Sequence, residues 1–351
     1  MSLYHNTLQG IKGLDRSAMK QAAAHQDRLT KPQGSLGRLE ELAIQIAGIR
    51  GDPHPKLKRK RVVVFAGDHG VVDEGVSAYP KDVTAQMVLN FLSGGAGINA
   101  IAGCMGAEVE VVDVGVDFEF PELTGLVAEK IRRGSRNLAQ GPAMTREETI
   151  AALEVGIERA DHARKNGVEL IAGGDMGIGN TTPATALFCA YLGLPPLKVA
   201  GPGTGLKPEQ VRRKARVIAK AIRVNQAALS DPLETLAALG GFEIAGLAGL
   251  YLGAAKNRMV ALVDGFIATA AALSAIKLCP LLKDHLIFSH LSEEPGHTLV
   301  LKKMGARPLL SLDLRLGEGT GACLAMALID AALACHNQMA TFASAGVSEK
   351  S

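Results

Sequence analysis

Glu318 stands between Gly317 and Gly319 in the stretch Leu312–Ala322 (LDLRLGEGTGA). A carboxylate flanked by glycines packs poorly and is open to an approaching ligand, so it suits the removal of a proton from a reacting group. A merely solvated loop glutamate is the plain alternative. Read alone, Gly317–Ala322 also fits a loose G-x-G-x-x-A dinucleotide fingerprint. That pattern needs a further strand carrying a ribose-binding acid, and none is found between Ala322 and Ser351.

Four other loops carry residue types that do chemistry. Gly67-Asp68-His69-Gly70 sets Asp beside His, as metal hydrolases do. Those enzymes spread Asp, Asn and His ligands over several such motifs, and that set cannot be assembled here. A turn capped by Asp68 is the other reading. Gly173–Thr182 (GGDMGIGNTT) is a candidate phosphate cradle, since its backbone N–H groups can approach an anion at the start of a helix. Gly201-Pro202-Gly203-Thr204-Gly205 is a second of the same kind; a glycine-rich turn without ligand is the alternative for both. Ser289–His297 (SHLSEEPGH) could ligate a metal or cap a turn entering a helix. No G-x-S-x-G elbow and no P-loop lysine occur, which argues against serine hydrolases and the common nucleoside triphosphatases.

Parallel sheets bind ligands outside the carboxyl ends of their strands, so the scaffold must gather these loops at one edge. Short β-branched runs predict strands near Val62–Ala66, Val109–Val114, Glu169–Ala172, Val260–Val263, Leu286–Ser289 and Leu309–Leu312. Each leads into a polar or glycine-rich loop and then an Ala- and Leu-rich helix. The expected fold is therefore α/β: a six-stranded, mostly parallel, Rossmann-like sheet flanked by helices. Ser35 predicts the N-cap of a helix over Leu36–Ile49, with Gly51 beyond its end. Thr182 and Pro183 predict the N-cap and first residue of another, and Glu209–Leu229 reads as a long basic helix. Residues up to about Ala24 and after about Ala325 look helical without strands. The expected division is a catalytic domain over 25–325 and a small helical subdomain from 1–24 with 326–351, either self-contained or docked on a partner subunit.

Composition agrees with that scaffold. The chain of 351 residues is 47% hydrophobic and 21% charged, with 4% aromatics and no Trp, so Ala, Val, Ile and Leu must build the core. A net charge of +3 is too small to imply a nucleic-acid surface. The basic run Lys56–Arg61 (KLKRKR) reads as a solvated lead-in to a buried strand, with a polyanion site as the alternative. Five cysteines, none in a C-x-x-C pair, argue against a disulfide framework or zinc site. The first twenty residues lack the apolar core of a signal peptide, and no charge-free apolar run reaches membrane length, so a cytoplasmic protein is expected.

Taken together the loops resemble the nicotinate-nucleotide–dimethylbenzimidazole phosphoribosyltransferase family. The resemblance rests on TKPQGSLGRLE (Thr30–Glu40), FAGDHGV (Phe65–Val71), GVSAYPKDVTAQMV (Gly75–Val88), GDMGIGNTTPA (Gly174–Ala184), GPGTGL (Gly201–Leu206), SHLSEEPGH and LDLRLGEGTGA, in the family's order over nearly the whole chain. It implies transfer of ribose phosphate from nicotinate mononucleotide to 5,6-dimethylbenzimidazole, giving α-ribazole 5′-phosphate and nicotinate for the lower ligand of cobalamin. It implies no metal or other cofactor, because the pyridinium is a built-in leaving group, and no partner but a second copy of the chain. By the same resemblance Glu318 is the catalytic base, with Asp175 and Lys214 assisting. Asp175 stands where a family Glu is expected, and stabilising positive charge on the ribose is its expected task. Ser77, Tyr79, Gln86, Met176 and Leu316 are expected to hold the base. Gly177, Ile178, Gly179, Asn180, Thr181, Gly203, Thr204, Ser292 and Gly317 are expected to hold the nucleotide and its phosphate.

Overall fold

The computed structural model describes residues 2–348. Six parallel strands form the central sheet: β1 (Arg59–Gly67), β2 (Ala107–Gly115), β3 (Leu126–Ala128), β4 (Val168–Met176), β5 (Val260–Val263) and β6 (Leu286–Phe288). Their order is β3-β2-β1-β4-β5-β6, so the chain winds outward from β1 on one side and outward from β4 on the other. The direction reverses between β1 and β4, and the crevice at such a switch point is where doubly wound sheets bind ligands.

β1 shows why the sheet is central. Val62 through Ala66 are all completely buried, as expected of a strand covered on both faces. Val63 and Phe65 enter one apolar layer with helices Arg146–Lys165, Phe242–Lys256 and Phe266–Leu278. Val62, Val64 and Ala66 enter the other, with helices Arg38–Arg50, Gly97–Met105 and Thr320–Gln338. Small residues replace aromatics as the packing device. A Cβ on Gly156 would come within 1.9 Å of the Gly246 carbonyl, and one on Gly249 equally close to that of Leu153, so two helix backbones meet almost directly.

Five of the six expected strands form in the main sheet. Leu309–Leu312 does not join it: only Leu310–Ser311 (β8) pairs, with the two-residue β7 (His290–Leu291). The sixth strand is β3, an edge strand of three residues, too short to carry a period. The expected helix at Ser35 begins instead at Arg38 after Gly37 (φ 52°), though Gly51 does end it in the left-handed conformation. The helix expected to begin at Pro183 with Thr182 as N-cap begins two residues earlier, at Thr181, with Asn180 in the N-cap position. The basic helix runs over Pro208–Val224 and ends sooner than expected.

The two ends of the chain meet: the Thr30 amide donates to the Ala340 carbonyl and the Phe342 amide to that of Arg28. A boundary at residue 325 would fall inside the continuous Thr320–Gln338 helix. That helix has the length and mean hydropathy of a membrane span, but it carries Asp330 and most of its apolar window is buried in the core. The other such stretch, Asp82–Met105, is broken into helices Asp82–Leu92 and Gly97–Met105.

Candidate active site

Loops from four strand ends close around a cavity of about 250 Å3 at the carboxyl edge of the sheet. The loop after β1 supplies Val76, Ser77 and Tyr79; β4 and its loop supply Asp175, Gly179, Asn180 and Thr181. Asp264, Gly265, Phe266 and Ile267 follow β5, and His290, Ser292 and Glu294 follow β6. Gly203, Thr204 and the run Arg315–Gly317 complete the wall. A larger cavity near the β6 edge, about 610 Å3, is lined by none of the residues expected to do chemistry.

One side of the cavity is built for an anion. Helices Thr181–Leu192 and Phe266–Leu278 both begin in its wall, bringing their partially positive amino ends to it. Gly203 has φ 54°, and a Cβ there would press on Thr181 Oγ1 at 2.9 Å. Lys214 stands behind this loop. It is fully buried, and its Nζ donates to Thr181 Oγ1 (2.6 Å) and the Gly201 carbonyl (3.2 Å). Burial lowers its pKa to about 8, against the opposing pull of Glu294. Thr204 Oγ1 accepts from the Ala78 amide and lies 3.5 Å from Ser77 Oγ, tying the loop to the one after β1.

The other side is acidic. Asp175 is buried, its Oδ2 accepts from Asn180 Nδ2 at 2.9 Å, and burial together with Asp264 pushes it up to about 8. Asp264 accepts from the Ala322 amide at the start of its helix and lies 3.6 Å from His290 Nδ1; burial raises its pKa too. Asp264 Oδ2 is buried without a partner among the described residues.

Glu318 sits next to this group. Its φ of 61° is in the left-handed region, between Gly317 at 83° and Gly319 at 85°. A non-glycine residue pays strain there, which concentrates at functional sites. Its amide donates to the Asp175 carbonyl, and the loop lies so close to β4 that a Cβ on Gly174 would be 2.3 Å from the Glu318 carbonyl oxygen. The carboxylate is beside the cavity rather than in its wall, between Leu316 and the amino end of helix Gly97–Met105. Oε2 accepts from the Ile98 amide at 3.0 Å. Oε1 makes no hydrogen bond among the described residues and is not sealed from solvent, so a lone pair is left for a proton. Burial raises the Glu318 pKa; the Ile98 hydrogen bond opposes this.

Eleven expected site residues therefore share the cavity: Ser77, Tyr79, Asp175, Gly179, Asn180, Thr181, Gly203, Thr204, Ser292, Leu316 and Gly317. Others do not. Gln86 is exposed on helix Asp82–Leu92, whose buried face belongs to Thr84, Ala85 and Val88, and it faces a separate recess with Asp68 and Phe118. Met176 packs into the apolar layer. Gly177 is wedged against the Gly67 carbonyl, and the Ile178 amide donates to Thr84 Oγ1. His69 pairs with Glu243 at 2.7 Å, both completely enclosed, so the Asp-His motif buttresses the site from behind. Sequence reasoning missed Asp264, Phe266, Ile267 and Arg315 as cavity residues, and had His290 and Glu294 only as metal ligands or turn residues of the loop Ser289–His297. The available signal was positional: Asp264-Gly265 directly follows β5, at the ligand-binding end.

Comparison with known proteins gives a consistent result. A family model described as phosphoribosyltransferase matches residues 11–347. The chain is 54% identical to the nicotinate-nucleotide–dimethylbenzimidazole phosphoribosyltransferase of Chlorobaculum tepidum, over 99% of this chain and 98% of that one. It is 53% identical to the protein of the same name from Geobacter sulfurreducens, over 99% of each. The crystal structure of CobT from Thermus thermophilus superposes with a TM-score of 0.90 at 51% identity, covering 95% of this chain and all of that one.

Proposed function

This chain belongs to the nicotinate-nucleotide–dimethylbenzimidazole phosphoribosyltransferase family, and from that premise we propose how its own residues carry the reaction. The enzyme converts nicotinate mononucleotide and 5,6-dimethylbenzimidazole to nicotinate and α-ribazole 5′-phosphate, the precursor of the cobalamin lower ligand. A ring nitrogen of the base attacks C1′ as the C1′–pyridinium bond breaks. The bonding electrons return to the nicotinate ring, whose positive charge is thereby discharged. Attack from the face opposite the leaving group turns a β linkage into an α linkage.

Glu318 takes the proton from the second benzimidazole nitrogen. The single observation that carries this assignment is its strained, glycine-flanked carboxylate beside the cavity, with one oxygen held by the Ile98 amide and the other free. Burial raises its pKa, which makes the carboxylate a better proton acceptor than an exposed glutamate. The phosphate is held by Gly203, Thr204, Asn180, Thr181, Ser292 and Gly317, with Lys214 countering its charge from behind. Ser77, Tyr79 and Leu316 cover the base, and exposure of both Tyr79 and Leu316 in one protomer supports a homodimer in which a second copy completes the pocket. Gln86 reaches the base, and Met176, Gly177 and Ile178 shape the floor, through adjustments that accompany that closure. The terminal stretches 1–24 and 326–351 act as a peripheral helical unit, a reading supported by the meeting of Thr30, just beyond the first stretch, with Ala340, while helix Thr320–Gln338 joins the second to the catalytic body. Five free cysteines are in keeping with a cytoplasmic setting.

Asp175 holds a proton near neutral pH in the ligand-free chain. Its expected stabilising charge would appear when the cationic pyridinium nucleotide binds and favours the ionised form. The whole reading is tested by incubating the protein with both substrates and following free nicotinate and α-ribazole phosphate by chromatography. Formation of neither would refute it.

A further inference from the structure

Three of the nine histidines come together far from the cavity: His25, His54 and His336, one ring nitrogen from each lying within 4.8 Å of the others. They belong to three separate parts of the chain. His25 ends helix Arg16–Gln26, His54 lies in the loop before β1, and His336 is in the last turn of helix Thr320–Gln338. His336 is about 24 Å along that helix from Thr320, at 1.5 Å per residue. The cluster therefore belongs to the amino-terminal end of the sheet, opposite the reaction.

Two of the three rings are anchored by backbone carbonyls. His25 Nε2 faces the His336 carbonyl at 2.8 Å, and His336 Nε2 faces the Pro53 carbonyl at 2.8 Å. A carbonyl only accepts, so each of these nitrogens carries the hydrogen and leaves Nδ1 with a lone pair. Backbone carbonyls holding the far nitrogen are the usual supports of metal-bound imidazoles. The His336 lone pair is met by Gln26 Nε2 at 2.9 Å, yet Gln26 Oε1 is itself buried without a partner. Metal binding at His336 Nδ1 requires that amide to swing aside, giving up this hydrogen bond while its Oε1 has no partner to lose. His54 is exposed between Pro53 and Pro55, and can close the set toward the ~2.0 Å bonds a metal requires.

We propose that His25, His54 and His336 form a site for one first-row divalent transition metal, Zn2+ or Ni2+, which fastens helix Arg16–Gln26, the loop before β1 and helix Thr320–Gln338 together. Three imidazoles suit these ions, and water fills the remaining coordination. The site is structural and takes no part in the transfer.

The test is to strip the full-length protein of metal and titrate it with Zn2+, then Ni2+, in competition with a chromophoric chelator while recording the melting temperature. The expected result is one ion per chain at micromolar or tighter affinity, with a higher melting temperature. His54→Gln alters only an exposed side chain; it should weaken binding at least about tenfold, abolish the rise in melting temperature, and leave kcat and KM unchanged. His25→Gln should weaken binding likewise. Failure of the wild type to take up either ion stoichiometrically, or equal binding by His54→Gln, would overturn the proposal.

Discussion

The two ends of β1 handle charge in opposite ways. At the amino end Arg59 and Arg61 pair with Glu108 and Glu110, Lys60 with Asp330, and nearby Arg50 with Glu169. Arg59, Lys60 and Arg61 of the basic run are thereby paired at the rim, while Lys56 and Lys58 make no ion pair among the described residues, in keeping with a solvated lead-in to a strand. At the carboxyl end, Asp175, Asp264 and Glu318 are buried with their pKa values raised, and none has a lysine or arginine within ion-pair distance among the described residues. One end spends its charges on local stability and the other withholds them from partners. Unpaired, desolvated acids cost stability, and folds tolerate that cost where catalysis uses it.

If this contrast is functional, disturbing the carboxyl end should damage turnover far more than folding. The largest effect is expected from Glu318→Gln: steady-state kinetics should show kcat reduced by about 10²–10⁴-fold with the KM for nicotinate mononucleotide little changed. A near-normal rate would break the comparison. Gly174→Ala comes next. Its Cβ would collide with the Glu318 carbonyl, displacing the carboxylate without removing it, and kcat should fall by about 100-fold while circular dichroism stays native.

A pH series sharpens the same point. Lys214 and Asp175 both titrate at about 8 in the ligand-free chain. As pH rises through that value the lysine loses its positive charge and the aspartate gains a negative one, so both changes disfavour a phosphate anion. The KM for the nucleotide should climb above pH 8, and Lys214→Met should raise KM at pH 7 while flattening that climb. The smallest effect belongs to the amino end. Arg61→Met should cost about 1–2 kcal/mol in denaturant unfolding, by depriving the half-buried Glu110 of its partner, and leave kcat unchanged.

Much of this was legible in the chain itself. The run Val62–Ala66 is too uniformly apolar and β-branched to be anything but a strand covered on both faces, and Val260–Val263 was readable to the residue. The glycine-bounded Glu318 and the loop Gly173–Thr182 announced themselves because glycine and acid at a strand end have little packing value. Leu309–Leu312 misled for the complementary reason: its apolar residues look like a strand, yet Leu312 is half exposed, in a segment leading into the cavity loops. β3 could not be read, because three residues carry no pattern and its pairing with β2 depends wholly on the neighbour.

Local order in the chain is enough to specify elements with a strong period, the turn residues between them, and the family that uses those loops, since each depends on neighbours a few positions away. Which side chains converge is another matter. Asp264 beside Asp175, Gln86 turned to its own recess, and His25, His54 and His336 drawn together are separations of tens to hundreds of residues. Those contacts exist only once helices and sheet have packed, because the burial that shifts a pKa or orients an imidazole belongs to the assembled layers and not to any segment of them.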